Sequence, residues 1–229
     1  MIAIIGDIHG CFNTLKNIVK KIKEKYPAIQ IYSVGDLVDR GKYSFEVIDF
    51  IKSEKIIFTP GNHDYMFYYF VNYPLSQMGS SWIYNGYENT IASYENRFDK
   101  IAEHLELIIN APIFLNLQDC FISHAGISKY YESKFPKNFR DNLELMGEIV
   151  KNDLTSPEGI LWTRSELLDI GKLQVVGHTR KEEITYQKSN NVVYIDTSIY
   201  AGNKLSAIIV DQNKIVDEIS VPTIKEDLV

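Results

Sequence analysis

Along the first sixty residues the apolar positions switch between short continuous runs and helical spacing. Ile2 to Ile5 is an unbroken apolar run, as a strand buried on both faces requires. Leu15, Ile18, Val19 and Ile22 then recur on one face of a helix that Asn13 is placed to cap. Lysines at 16, 20, 21, 23 and 25 fall outside that face and read as a solvated surface. Ile31 to Val34 gives a second strand, Ser44 to Ile51 a second helix, and Ile56 to Thr59 a third strand ending at Gly61. This βαβαβ order favours a parallel sheet with helices packed on it.

The pattern changes after Tyr65. Residues up to about 95 are rich in aromatic and polar groups without a clean period, and read as a helix followed by a lid-like insertion near a site mouth. A packed aromatic layer under a long loop is the competing reading. Asn96 starts a further helix with Phe98, Ile101, Ala102, Leu105 and Ile109 on one stripe, which leaves His104 off it as a surface residue. The remainder is strand-rich: Phe121–Ser123, Gln174–Val176, Val192–Ile195, Leu205–Val210 and Ile215–Ser220, with Asp211-Gln212-Asn213 turning the last pair. The expected architecture is α+β, two mixed sheets packed together with helices outside, in one domain spanning 1–229.

Composition narrows the class only slightly. The 229 residues are 45% hydrophobic and 24% charged, with a net charge of −6, so no broad basic face exists for a nucleic-acid polymer. Cys11 and Cys120 supply neither a disulfide framework nor a CxxC pair. The N-terminal apolar run is too short for a signal segment, and no run approaches a membrane span. A cytoplasmic protein with no membrane partner is expected; oligomeric state stays open.

The chemistry lies in five glycine-flanked motifs. They are GDIHG (Gly6–Gly10), GDLVDRG (Gly35–Gly41), GNHD (Gly61–Asp64), HAGI (His124–Ile127) and VGHT (Val176–Thr179). Each closes a strand-like run, so their side chains converge on the carboxyl edge of a sheet, where open α/β folds bind ligands. Together they offer carboxylates, an amide and imidazoles, a donor set for two divalent metal ions. Two adjacent dications suit phosphate ester hydrolysis, because they clamp the phosphoryl group and generate hydroxide at neutral pH.

These motifs resemble those of the phosphoprotein phosphatase family of metallophosphoesterases, in its small bacterial and bacteriophage-type branch. The segments Ser81–Gly86, Leu161–Arg164 and Ile195–Thr197 extend the resemblance to nearly the whole chain. It implies the calcineurin-like metallophosphoesterase fold. It also implies that Asp7, His9 and Asp36 hold one metal while Asp36, Asn62, His124 and His178 hold the other, with Asp36 bridging. Manganese is the first candidate, with iron, zinc or cobalt the others. Two carboxylates against two dications leave a net positive site that attracts phosphate. By the same resemblance His63 is a general acid oriented by Asp39, and Arg40 and Arg164 grip phosphate. Trp162 reads as core.

The family includes serine/threonine phosphatases and symmetrical diadenosine tetraphosphate hydrolases. Phosphoserine or phosphothreonine in proteins or peptides is the leading substrate expectation, cleaved by direct attack of a metal-bridging hydroxide. The alternative is a dinucleoside polyphosphate. Segment 65–94 holds no Lys or Arg, and only two arginines stand in motifs, which tips the balance toward the smaller phosphate. Against this, Pro60 stands where eukaryotic-type members carry a phosphate-binding arginine. Asp64 replaces a glutamate, Tyr87 stands where the bacterial branch often has a glycine, and Ser198 where a glycine usually follows Asp-Thr. A non-catalytic interaction module is disfavoured, since none of the metal or acid–base positions is lost.

Overall fold

The computed structural model describes residues 1–229. Ten strands follow in chain order: β1 (Ile2–Ile5), β2 (Gln30–Ser33), β3 (Ile57–Phe58), β4 (Phe114–Asn116), β5 (Phe121–Ser123), β6 (Gln174–Val176), β7 (Thr185–Gln187), β8 (Val192–Tyr194), β9 (Lys204–Asp211) and β10 (Lys214–Pro222). The helices are α1 (Phe12–Lys25), α2 (Ser44–Ser53), α3 (Asn62–Asn72), α4 (Gln77–Ser81), α5 (Tyr87–Ser93), α6 (Ile101–Asn110) and α7 (Gly147–Lys151). The strands form two five-stranded mixed sheets, ordered β10-β9-β1-β2-β3 and β4-β5-β6-β8-β7. No helix is long and apolar enough to cross a membrane.

Strand periodicity explains the layering. In β1 and β9 every second residue turns toward the other sheet: Ile2, Ile4, Ile208 and Val210 join Ile122, Val175, Val193 and Ile195 in a buried cluster. The intervening Ala3, Ile5, Ala207 and Ile209 belong to the helix-side core with Leu15, Ile18, Val19 and Ile22 of α1. The register keeps like with like, Ile4 opposite Ile208 and Ala3 opposite both Ile31 and Ile209. Strands apolar on both faces are therefore interior strands, as read from sequence. Over the second sheet the cover is thinner, made of 3₁₀ turns and the short α7.

Several expectations need correction. The sequence left the sheet of the last hairpin open; it joins the first sheet, with β9 antiparallel to β1. Strands β4 and β7 escaped notice because they are three-residue edge strands, β7 largely exposed. His104 is buried, not surface; its Nδ1 lies 2.8 Å from the Tyr94 hydroxyl. The cause is a shifted stripe: Phe98 sits in an exposed 3₁₀ turn, α6 begins at Ile101, and its buried face is His104, Leu105 and Ile108.

Asn13 does not cap α1. The cap comes from Asp227, whose carboxylate accepts from the backbone N–H of Asn13 at 2.9 Å and of Thr14 at 2.8 Å. It also accepts from the Thr14 hydroxyl at 2.6 Å, while its carbonyl accepts from the N–H of Lys42. One buried carboxylate near the chain end thus ties α1 to the loop leading into α2, satisfying helix donors that have no intrahelical partner. Replacing Asp227 with Ala should cost about 2 kcal/mol, and so lower Tm by roughly 4–8 °C, with Asp227→Asn losing less. Thermal unfolding of the three proteins checks this; an unchanged Tm in the alanine variant would show that the cap adds nothing.

Candidate active site

All ten residues singled out from sequence meet at one place, where the carboxyl ends of β1, β2, β5 and β6 face a cavity of about 220 Å³. Eight of them line it; Asp39 and His124 stand directly behind, in contact with His63 and Asp36. The strand-end loops reach this geometry through unusual backbone. His9, Asp36, Asp39, Arg40 and His178 all have positive φ, between 45° and 71°. Such conformations cost about 1–3 kcal/mol each in non-glycine residues and persist where surrounding structure enforces them.

Asp36 is the centre. Its carboxylate lies 3.5 Å from Nε2 of His9 on one side and 3.5 Å from Nε2 of His124 on the other. Donor atoms of His9, Asp36 and His63 lie within 4.8 Å of one another, as do those of Asp36, His124 and His178. Burial opposes ionisation of Asp36, but the four imidazoles outweigh it and hold the carboxyl well below its usual range. Burial lowers the pKa of His9, His124 and His178 in turn.

The tautomers are set from behind. His9 Nδ1 donates to the Val38 carbonyl at 3.0 Å and His124 Nδ1 to Val34 at 2.8 Å, leaving both Nε2 lone pairs turned to Asp36. His178 donates from Nε2 to the Trp162 carbonyl, leaving Nδ1 as its acceptor. Asn62 Oδ1, with the amide oriented as here, lies 3.0 Å from His124 Nε2. The cavity thus brings His124 Nε2, Asn62 Oδ1 and the Asp36 carboxylate together as acceptors. Metal-ligating histidines carry this arrangement of outer hydrogen bonds.

Carboxylate crowding points the same way. Burial, then Asp196 and Asp36, raises the pKa of Asp7 well above its ordinary value, and burial raises that of Asp196. Three buried carboxylates in one small cavity call for cationic charge, and the donor set suits divalent ions. A Cβ on Gly61 or Gly177 would run into the Asp36 or Asp7 carboxylate, so only glycine lets these loops close.

His63 differs from the other rings in its outer partner, a carboxylate where theirs are backbone carbonyls. Nδ1 donates to Asp39 Oδ2 at 2.6 Å and Nε2 accepts from Arg40 Nη2 at 2.9 Å. Arg40 Nη1 reaches His9 Nε2 at 2.8 Å. Asp39 is itself fixed by Trp82 Nε1 at 2.8 Å and the Thr90 hydroxyl at 2.7 Å. The aromatic-rich segment after Tyr65 therefore supplies the groups that hold the His63 partner, with Trp82 stacked on Phe67 beneath them. Asp64 joins two motifs by accepting from the N–H groups of Leu37 and Gly61.

Sequence reasoning missed four cavity residues: Asn85, Arg180, Asp196 and Tyr200. Asp196 and Arg180 had a signal, since Asp196 follows a strand and Arg180 adjoins VGHT. Asn85 lay in the Ser81–Gly86 segment that shares the resemblance, and Tyr200 had no signal. Trp162, read as core, is half-buried and lines the cavity. Ser198 takes φ 60°, the left-handed conformation that explains why a glycine suits that position.

The calcineurin-like phosphoesterase family model matches residues 1–208. The chain belongs to that family. This metallophosphoesterase is 32% identical over 227 residues to bis(5'-nucleosyl)-tetraphosphatase PrpE [asymmetrical] of Anoxybacillus flavithermus, covering 90% of this chain and 88% of the relative. It is 30% identical to the protein of the same name from Bacillus subtilis, over 96% and 93% of the two chains. Among solved structures, a cold-active protein-tyrosine phosphatase from a Shewanella species shares the fold, with TM-score 0.64 and 20% identity over 97% of this chain and 80% of that one.

As a metallophosphoesterase with crowded buried carboxylates, the protein should respond oppositely to Asp7→Asn with and without metal. Removing that charge relieves repulsion, so the metal-free variant should melt above metal-free wild type. Manganese should then bind at least roughly tenfold more weakly than to wild type. Calorimetry of both forms, with and without manganese, checks this; a variant that binds manganese as tightly as wild type removes Asp7 from the donor set.

Proposed function

We propose that the chain hydrolyses dinucleoside polyphosphates, adding water across a phosphoanhydride bond. The observation carrying this is a set of three arginines, Arg40, Arg164 and Arg180, that line one cavity, none of them ion-paired with a carboxylate. Arg40 lies 4.0 Å and Arg180 5.5 Å from the Tyr200 ring centroid, so two guanidiniums share one aromatic support. Two arginines suffice for a phosphomonoester; a third, on the loop after His178, suits a chain of phosphates. The roughly 30% identity to bis(5'-nucleosyl)-tetraphosphatases supports the same reading.

In this mechanism Asp7, His9, Asp36, Asn62, His124 and His178 would hold two divalent ions, which supply Lewis acidity at phosphorus and an activated water. The arginines bind and orient the phosphates, each offering paired N–H groups to oxygen. His63 faces the cavity through Nε2, and Asp39 fixes Nδ1 as a donor, so a protonated ring can pass the Nε2 proton to the leaving oxygen. A leaving nucleotide phosphate needs that proton less than a departing serine or threonine alkoxide does. Arg40 holds Nε2 as an acceptor in this structure, and must turn toward phosphate for the ring to act as acid.

The phosphoprotein reading retains one support. Ile83 and Tyr84, 40% and 84% exposed, adjoin cavity residue Asn85 and offer an apolar surface to a macromolecule. Comparing kcat/KM for diadenosine tetraphosphate and a phosphothreonine peptide, at one manganese concentration, separates the two. We expect the dinucleotide to win by tenfold or more, and a peptide preference overturns the proposal.

Two variants probe the roles. Arg180→Ala should raise KM for the tetraphosphate roughly tenfold, as expected for a charge-assisted contact, and leave p-nitrophenyl phosphate within twofold. Equal effects on both substrates would deny Arg180 a role with the extra phosphates. His63→Asn should cost ~10²–10⁴ in kcat on the phosphothreonine peptide and less on the tetraphosphate or an aryl phosphate. A uniform loss across leaving groups would argue against proton donation by His63.

A further inference from the structure

The catalytic cavity, at about 220 Å³, is smaller than the roughly 300–1,000 Å³ of ordinary ligand pockets. It has room for a phosphoryl group among the metal donors, and the nucleoside of a nucleotide substrate must lie outside it. A larger groove of about 490 Å³ adjoins it, and Trp162 and Arg164 line both. On one side stands α4, with Gln77 and Met78; on the other is the segment Thr155 to Glu158.

We infer that this groove is the nucleoside subsite of the reaction, with the base held against Trp162 between the two walls. The inference rests on the dinucleotide reading for its substrate class, but the groove's chemistry argues for it separately. Trp162 is half-buried and its indole Nε1 donates to the Leu154 carbonyl at 3.0 Å, which fixes the ring plane. Trp82 is stacked on Phe67, whereas no aromatic ring of the protein packs on Trp162. A fixed tryptophan without an aromatic neighbour suits stacking by a base, since every base presents a π-face.

The polar groups are distributed as a nucleoside needs. Gln77 is exposed at the rim, with an amide that both donates and accepts. Glu158 is anchored by the hydroxyls of Ser128 and Ser165, and these hydrogen bonds hold its carboxyl below the usual range. An anchored carboxylate is an acceptor for ribose hydroxyls and repels phosphate. Arg164 stands at the junction, its Nη1 donating to the His178 carbonyl at 2.9 Å with the remaining N–H groups free for phosphate. Negative charge at the nucleoside end and positive charge at the junction set one direction for a bound nucleotide.

The test uses inhibition of p-nitrophenyl phosphate hydrolysis with manganese supplied, by AMP and by ribose 5-phosphate, which differ only in the base. Wild type should bind AMP at least tenfold more tightly than ribose 5-phosphate. Thr155→Trp fills the groove from an exposed position and should close that gap, with kcat/KM for p-nitrophenyl phosphate within twofold of wild type. Gln77→Ala, at the rim, should narrow the gap and serves if the tryptophan variant folds poorly. Equal inhibition by the two compounds in wild type, or a gap that survives both variants, overturns the assignment. The outcome is separable from the substrate reading. An AMP gap in an enzyme that prefers the phosphothreonine peptide keeps the groove and discards the tetraphosphate.

Discussion

The structure turns on the surroundings of one carboxylate. Asp36 takes its position from a left-handed backbone just past β2, and everything near it is arranged to keep it there. Its carbonyl accepts from the N–H groups of Ile8 and His9, which locks the β1 loop to the β2 loop. Its side chain accepts from the N–H of His63 at 3.0 Å, which locks the start of α3 to both. His124, from the other sheet, reaches the same carboxylate. The two sheets are packed so that their strand ends meet at this point.

Such a centre is unfavourable for stability by itself. Left-handed residues, buried carboxylates and desolvated imidazoles each raise the free energy of the folded state. What offsets them is the double-layered core. Nearly every apolar residue of β1 and β9 is fully buried, one set between the sheets and the other beneath α1. The outer hydrogen bonds then turn the cost into order. Val34, Val38 and Trp162 carbonyls set three imidazole tautomers, while Trp82 and Thr90 hold Asp39 behind the fourth ring.

How much of this could be read from sequence depends on how local each cause is. The central strands and α1 were legible because their burial writes a period into consecutive residues. The meeting of the motif residues was legible because the motifs lie at strand ends, and strand ends converge wherever the sheet does. Asp227 was illegible as a cap, since it acts 213 residues away from Thr14. The stripe of α6 was displaced by about one residue because Phe98, counted into it, belongs to a preceding 3₁₀ segment. Thr90 lies in no motif, Trp82 lies in a segment whose role the sequence does not give, and the purpose of both appears only when α5 and the turn before it are seen against Asp39.

Reaction class and substrate choice are written in different parts of this chain. The motif residues define a phosphoesterase and differ little between a monoester and an anhydride, because the group being transferred is the same. Selectivity comes from what surrounds them. Pro60 leaves the end of β3 without a cation, while Arg164 and Arg180 line the cavity from the side of β6. Asp64, shorter than the glutamate it replaces, is spent on backbone N–H groups and not on the cavity. The polyphosphate proposed above would run from the donor cluster toward Arg180 and Arg164. On the substrate proposed above, the arginines around the cavity would set the path of the phosphates, while the candidate centre stays where the strand ends put it.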